Sequence, residues 1–283
     1  MNIPTIYVHI NPLGLPFSNE LDRSNFTFAA LPEYAQYSFQ SVVKYTSKEP
    51  VIITDTKPYE KELVDFFERC KAGFPSFYKD PFWLLTLMRL YIVHLYIKNN
   101  NINKFVHMEY DNLIFDSYDC LKELEPSIYF TRVGPECGSA GFVYCNSIEH
   151  FDRFISKILE ILRKGEAHLR KFTQYGQLSE MIMIDLINTH TTDVIKYLPL
   201  FPNNYQYDIT RIVFDGASYG QYLGGTNCGD PPGWYGSHHY VGQMIQQKKL
   251  EIYFDKAPHI KFCNRDCRVL NLHVHSKNLK AFV

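Results

Sequence analysis

The sequence has almost no excess charge of either sign. Its 29 Lys and Arg against 30 Asp and Glu leave a net charge of −1. Nothing in that balance holds a phosphodiester backbone, so nucleic acid is not expected as a partner. Long hydrophobic runs are also missing. The most apolar stretch, Phe82 to Ile97, is interrupted by Arg89 and His94 and falls short of the ~20 residues that span a bilayer. The opening residues, MNIPTIYVHINP, lack the basic start and apolar core of a leader peptide. A soluble protein without a transmembrane anchor is therefore expected. Cysteine offers neither a disulfide framework nor a metal motif. The seven cysteines are odd in number and scattered, and Cys263 and Cys267, with His259 nearby, have no second pair to complete a zinc site of about four ligands. Free thiols in a reducing, cytoplasmic compartment follow. The segment after the first apolar run, HINPLGLP, is a poor match to a Gly-rich phosphate loop.

What is present reads as an ordinary globular chain, long enough for one domain, with 46% hydrophobic residues and 21% charged ones. Aromatics are abundant, with 21 Tyr and 21 Phe. They suit stacking platforms for sugars or bases, or equally a Tyr-rich core. Apolar patterning predicts strands over 3–10, 50–54, 105–108, 128–132, 140–145, 261–262 and 269–274. It predicts helices over 33–45, 59–70, 81–99, 147–163 and 179–188. Residues 12–32 read as a loop. From residue 199 the pattern loosens, and the Gly-rich stretch 216–242 reads as a binding loop region. Strands alternating with helices imply an α/β fold with a mainly parallel sheet flanked by helices.

One tripeptide stands out within this pattern. The strand FVHM runs straight into Glu109-Tyr110-Asp111. Strand residues two apart share a face, so both carboxylates can meet at one point beyond the strand end, where α/β folds bind ligands. Two hard oxygen ligands there suit Mn²⁺ or Mg²⁺. Alone, such a tripeptide is commonly a solvated acidic turn. The preceding helix, FWLLTLMRLYIVHLYIKNN, adds a second sign. It has almost no polar face, and a buried Arg89 needs an anionic partner: a carboxylate of the acidic pair, a bound nucleotide, or solvent reached by snorkelling. Near the C-terminus, NLHVHSK places His273 and His275 on one strand face, where an imidazole can complete a metal site. Lys277 follows as a point charge for phosphate. By itself this could also be a polar edge strand.

Taken in order, these elements resemble the GT-A-fold glycosyltransferases, in which an Arg-bearing helix precedes a strand ending in a D-x-D motif. Here Glu109 stands in place of the first acid. The small-residue strand CGSAGFVYCNS, with Ser139 and Ala140, occupies the position that lines the donor sugar. Ser179-Glu180-Met181 matches the acidic helix start near donor and acceptor. His273, Ser276 and Lys277 match the late His and Lys of metal-dependent members, with the Lys closer to the His than is common. FDGASYGQYLGG and NLHVHSK also resemble small glycosyltransferases of bacterial surface-polysaccharide clusters and large DNA viruses. The resemblance implies a single GT-A-like, Rossmann-like domain over 1–283. Residues about 1–146 would bind the nucleotide-sugar and about 147–283 the acceptor. It implies a nucleotide-sugar donor, UDP-linked, and a glycan or glycoprotein acceptor. His9, Ile10, Asn11, Asp55, Arg89, Glu109, Tyr110, Ser139, Ala140 and Lys277 would contact the donor. Glu109, Asp111 and His273 or His275 would hold Mn²⁺ or Mg²⁺. Glu180, then Asp215, would serve as base in an inverting reaction. Trp234, Tyr235, His238 and His239 would line the acceptor site. A metal-dependent nucleotidyltransferase or phosphohydrolase and a non-catalytic carbohydrate-binding module are the competing readings.

Overall fold

In the computed structural model, the described residues are 3–9, 31–76, 81–134, 137–172, 178–202, 211–234, 240–263 and 265–283. The predicted loop at 12–32 therefore lies almost wholly outside them.

The central sheet has six strands: β1 (Thr5–Val8), β2 (Val51–Ile53), β3 (Phe105–Met108), β5 (Ile128–Gly134), β6 (Cys137–Cys145) and β7 (Ile195–Tyr197), in the order β2-β1-β3-β6-β5-β7. A short β4 (Asn112–Ile114) lies outside it. The ladders β1–β2, β1–β3 and β5–β7 are parallel, and only those flanking β6 are antiparallel. The fold is thus α/β with a mixed, mainly parallel sheet, as the alternation of elements predicts.

Helices cover both faces because the strands are apolar on both. Ile6, Val8, Phe105 and Phe130 point into a core shared with α2 (Glu60–Gly73), α3 (Pro81–Asn99), α4 (Ile148–Lys164) and α6 (Glu180–His190). Tyr7, Val106, Met108 and Tyr129 point the other way, against α1 (Glu33–Thr46) and Ile114. That is the period-two alternation of a sheet buried on both sides. A one-turn α5 (Glu166–Leu169) follows α4.

The apolar helix α3 is lodged between α2, α4, α6 and β1. Leu84, Leu87, Met88, Leu90, Val93 and Ile97 are all buried, which explains its lack of a polar face. Among the described residues, no helix is long and apolar enough to cross a membrane.

The C-terminal third departs from expectation. The stretch 216–242 contains α7 (Ser218–Gly224) and the start of α8 (Tyr240–Gln246). Its glycines serve close approach as well as turns: a Cβ on Gly220 would meet the His273 carbonyl oxygen at 1.9 Å. A second sheet, β8-β11-β10-β9, joins β8 (Ile212–Val213), β9 (Leu250–Asp255), β10 (Ala257–Phe262) and β11 (Arg265–Val269). Only fragments of it were expected, because one face is solvated and its charged residues hide the strand period. The predicted strand 269–274 is two strands. The chain leaves β11 at Val269 and re-pairs as β12 (Asn271–His273) with β4. Leu270 bridges the two, donating its N–H to the Val213 carbonyl at 2.9 Å and accepting from Phe115 N–H at 2.8 Å.

Candidate active site

The β4–β12 pair brings the two ends of the sequence argument together. Glu109 and Asp111 lie in the tight turn between β3 and β4, closed by the Asn112 N–H donating to the Glu109 carbonyl at 3.2 Å. His273 pairs with Asn112 across the ladder, and the Val274 N–H donates to the Asp111 carbonyl at 2.7 Å. The late histidine is thereby fixed beside the carboxylates. Its Nε2 lies 3.2 Å from Glu109 Oε2 and 3.2 Å from Asp111 Oδ2. Arg89 reaches from α3 to form an ion pair with Glu109, and Lys277 forms one with Asp111.

Around the turn, buried polar groups set the positions. The Gly141 carbonyl on β6 accepts from Glu109 N–H at 2.9 Å and from Asn112 Nδ2 at 3.0 Å. Asn271 Nδ2 donates to Asn112 Oδ1 at 2.9 Å and to the Asp215 carbonyl at 2.8 Å. Asp215 is itself fully buried. Its Oδ1 accepts the N–H groups of Ala217 and Tyr219 at 2.9 Å each. Its Oδ2 accepts those of Gly220 at 2.8 Å and His273 at 2.9 Å. This carboxylate ties the start of α7 to the strand that carries His273.

Electrostatically, the cluster keeps its charges by pairing. Burial alone would raise Glu109, yet the Arg89 guanidinium and the His273 ring hold it well below the usual carboxylate range. Asp111 is lowered against burial by His273 and Lys277. Burial would depress His273, but the two carboxylates push it up, to about 10. Glu180 differs: burial raises its pKa, with Arg89 opposing.

These residues line a cavity of about 380 Å³, a size that suits a small ligand. Among the described residues, Arg89 Nε and Nη2, Trp83 Nε1, Tyr110 Oη, His273 Nδ1 and His275 Nδ1 are buried without hydrogen-bond partners, and all five residues named here contribute to its lining, as does Glu180. Leaving a buried polar group unpaired costs about 1–3 kcal/mol. A set dominated by donors calls for an oxygen-rich, anionic ligand.

The trio Glu109, Asp111 and His273 also fits a metal ion. One ligand atom from each lies within 4.8 Å of the others, and two carboxylates with one imidazole are a hard to borderline donor set. Room for the imidazole comes from Gly141, where a Cβ would stand 2.6 Å from His273 Cε1 and Nδ1 and 3.1 Å from Glu109 Oε2.

Not every expected residue reaches this cavity. Arg89, Glu109, Tyr110, Asp111, Ser139, Glu180, His273, His275 and Lys277 line it. His9 lies beside it, its ring 5.9 Å from that of Tyr110. His275 is outside the metal trio, because β12 ends at His273 and the two-residue period stops there; its ring stands 6.2 Å from the His273 ring at 72°. Ala140 points into the helical core, opposite in pleat to Ser139. Asp55 caps the turn after β2, accepting the Lys57 N–H at 2.9 Å, and lines a separate hollow near Tyr96 and Asn99. Asp215 is committed to four backbone N–H groups and is not part of the lining. Ile10, Asn11, Tyr235, His238 and His239 lie outside the described residues.

The cavity also contains residues that sequence reasoning passed over: Tyr34, Trp83, Thr86, Gly141, Gly216 and Ala217. Two had a legible signal. Thr86 interrupts the apolar run three residues before Arg89, on the same helix face, and Gly141 is a glycine inside a strand pattern.

Comparison with known proteins adds little to this geometry. No family model matches the chain, and no curated protein matches it. Among solved structures, it is similar to the glycosyltransferase GlyE in Streptococcus pneumoniae TIGR4, at 12% identity and a TM-score of 0.32. The match covers 74% of this chain and 47% of that chain, so this chain spans about half the length of that protein. So loose a likeness transfers no activity, and the functional reading has to come from the chemistry of the cavity.

Proposed function

We propose that this protein is a metal-dependent glycosyltransferase that moves a sugar from a nucleoside diphosphate donor, a UDP-sugar, to a hydroxyl of a glycan or glycoconjugate. The observation that carries the reading is the convergence of Glu109, Asp111 and His273 beneath a cavity lined by Arg89, Lys277 and unpartnered N–H and O–H donors. Such a floor suits a ligand that carries two phosphates and a polyhydroxylated ring.

In this reading Glu109, Asp111 and His273 hold Mn²⁺ or Mg²⁺, which supplies Lewis-acid stabilisation of the charge that gathers on a departing diphosphate. Lys277 adds a second positive charge at the same place, and Arg89 fixes the Glu109 carboxylate. Tyr110, its ring 5.9 Å from that of His9, forms the wall toward the nucleoside. The acceptor oxygen bonds to the anomeric carbon as the bond from that carbon to the diphosphate breaks, its electron pair leaving with the diphosphate. Glu180 takes the acceptor proton. Burial holds its pKa above the usual carboxylate value, nearer to that of a working base. Thr86 Oγ1, 2.8 Å away, orients it. Asp215 positions His273 rather than moving a proton.

The deciding experiment incubates the protein with a panel of nucleotide-sugars and Mn²⁺ or Mg²⁺ and follows the released nucleotide. Release of nucleoside diphosphate, abolished by a chelator and by Asp111→Ala, is the expected result. Release of pyrophosphate or free phosphate would point to nucleotidyl transfer or phosphohydrolysis instead. Metal-independent sugar binding without turnover would point to a binding module.

A further inference from the structure

Phe82 and Trp83 open α3 at the rim of the cavity. Phe82 is 57% exposed, unusual for so large an apolar side chain. Its ring meets that of Trp83 edge-on, with centroids 5.0 Å apart at 79°. Both residues line the same cavity as Glu180. Trp83 has a buried Nε1–H with no partner among the described residues. The same turn of helix runs on to the base: Thr86 Oγ1 lies 2.9 Å from the Trp83 carbonyl and 2.8 Å from Glu180 Oε2. Trp83 packs partly against the helical core yet keeps an unused donor, and Phe82 stands exposed beside it; Thr86, one turn along the helix, bonds the buried carboxylate of Glu180.

The chemistry that satisfies this arrangement is a pyranose ring. Its C–H face is apolar and packs on an aromatic face, while its hydroxyls accept from an indole N–H. We infer that Phe82 and Trp83 form the acceptor subsite, binding the terminal sugar ring of a glycan so that one of its hydroxyls faces Glu180. This deepens the glycosyltransferase reading and rests on it for the word acceptor. The sugar-binding site itself depends on neither donor nor metal.

The test uses that independence. The chain has only two tryptophans, Trp83 and Trp234, so protein labelled with 5-fluorotryptophan shows two fluorine resonances, assigned with Trp234→Phe. Methyl β-glucopyranoside and methyl β-galactopyranoside are titrated in without metal or nucleotide, up to about 100 mM, where weak single-ring binding saturates. The expected result is a saturable shift of the Trp83 resonance by at least one of the two sugars, weakened ~5-fold or more by Phe82→Ala, as loss of one aromatic contact predicts. Phe82 is exposed, so that variant keeps the fold. A shift confined to Trp234 would place the acceptor at the Gly-rich loop and overturn the inference. So would a Trp83 resonance that moves only with UDP-sugar, or that moves equally in Phe82→Ala. None of these outcomes alters the metal and nucleotide assay of Asp111→Ala, so the two readings fail separately.

Discussion

Gly141→Ala isolates the packing of the metal trio with one methyl group. Gly141 lies in β6 and does not use a left-handed backbone, so alanine is compatible with its conformation. The effect then comes from the added carbon alone. That carbon would stand 2.6 Å from His273 Cε1 and Nδ1, about 1 Å inside the usual contact distance of roughly 3.5–4.0 Å. His273 cannot retreat freely, because its N–H is held by Asp215 at 2.9 Å and its carbonyl faces Gly220 with no room for even a Cβ. Overpacking of this kind costs about 1–3 kcal/mol. Displacement of the ring by about 1 Å should also weaken metal binding by about 10- to 100-fold, the range seen when support of a metal ligand is lost. The assay is Mn²⁺ titration by calorimetry alongside thermal unfolding. Gly134→Ala, at the end of the neighbouring strand, is the control: its Cβ would meet only Tyr240, at 3.6 Å and beyond, which is ordinary contact. If Gly141→Ala binds Mn²⁺ as tightly as Gly134→Ala, the trio is not the metal site.

Other outcomes follow from the same geometry. Asp215→Asn puts an amide NH₂ against two backbone N–H donors whichever way it turns; the loss of two charge-assisted bonds, partly offset by removing a buried charge, should destabilise by about 2–4 kcal/mol, read as a lower Tm, with weaker Mn²⁺ binding through His273. An unchanged Tm would remove the bracing role. Asp111→Ala should abolish metal-dependent binding of UDP in calorimetry; retention of full turnover would refute the ligand assignment. Glu180→Gln should keep UDP and Mn²⁺ binding while transfer falls by about 100-fold or more; undiminished transfer would exclude it as base and favour a mechanism that needs none.

Local patterning was enough for most of the framework. Period-two and helical spacing located β3 and α3, because both elements are buried by side chains whose apolarity shows in the sequence. It also singled out Arg89: a cation inside an apolar helix needs a partner, and the partner is Glu109. The late strands were less legible. The second sheet has one solvated face, so charge obscures its period, and the break at Leu270 depends on hydrogen bonds to Val213 and Phe115, far away in sequence.

The sequence by itself determined which chemistry is available: two carboxylates at a strand end, a buried arginine, a late pair of histidines and a lysine. Side-chain type and short-range period are local properties, and they survive without a fold. The tertiary structure alone decided which of these groups meet. It chose His273 over His275 by ending β12 there and pairing it with β4. It turned Asp215 into a brace by surrounding it with four backbone donors. It also kept Asp55 and Ala140 out of the cavity. The pairing of His273 with Asn112 and the bond from the His273 N–H to Asp215 join residues more than fifty positions apart, and spacing along one chain does not encode such distances.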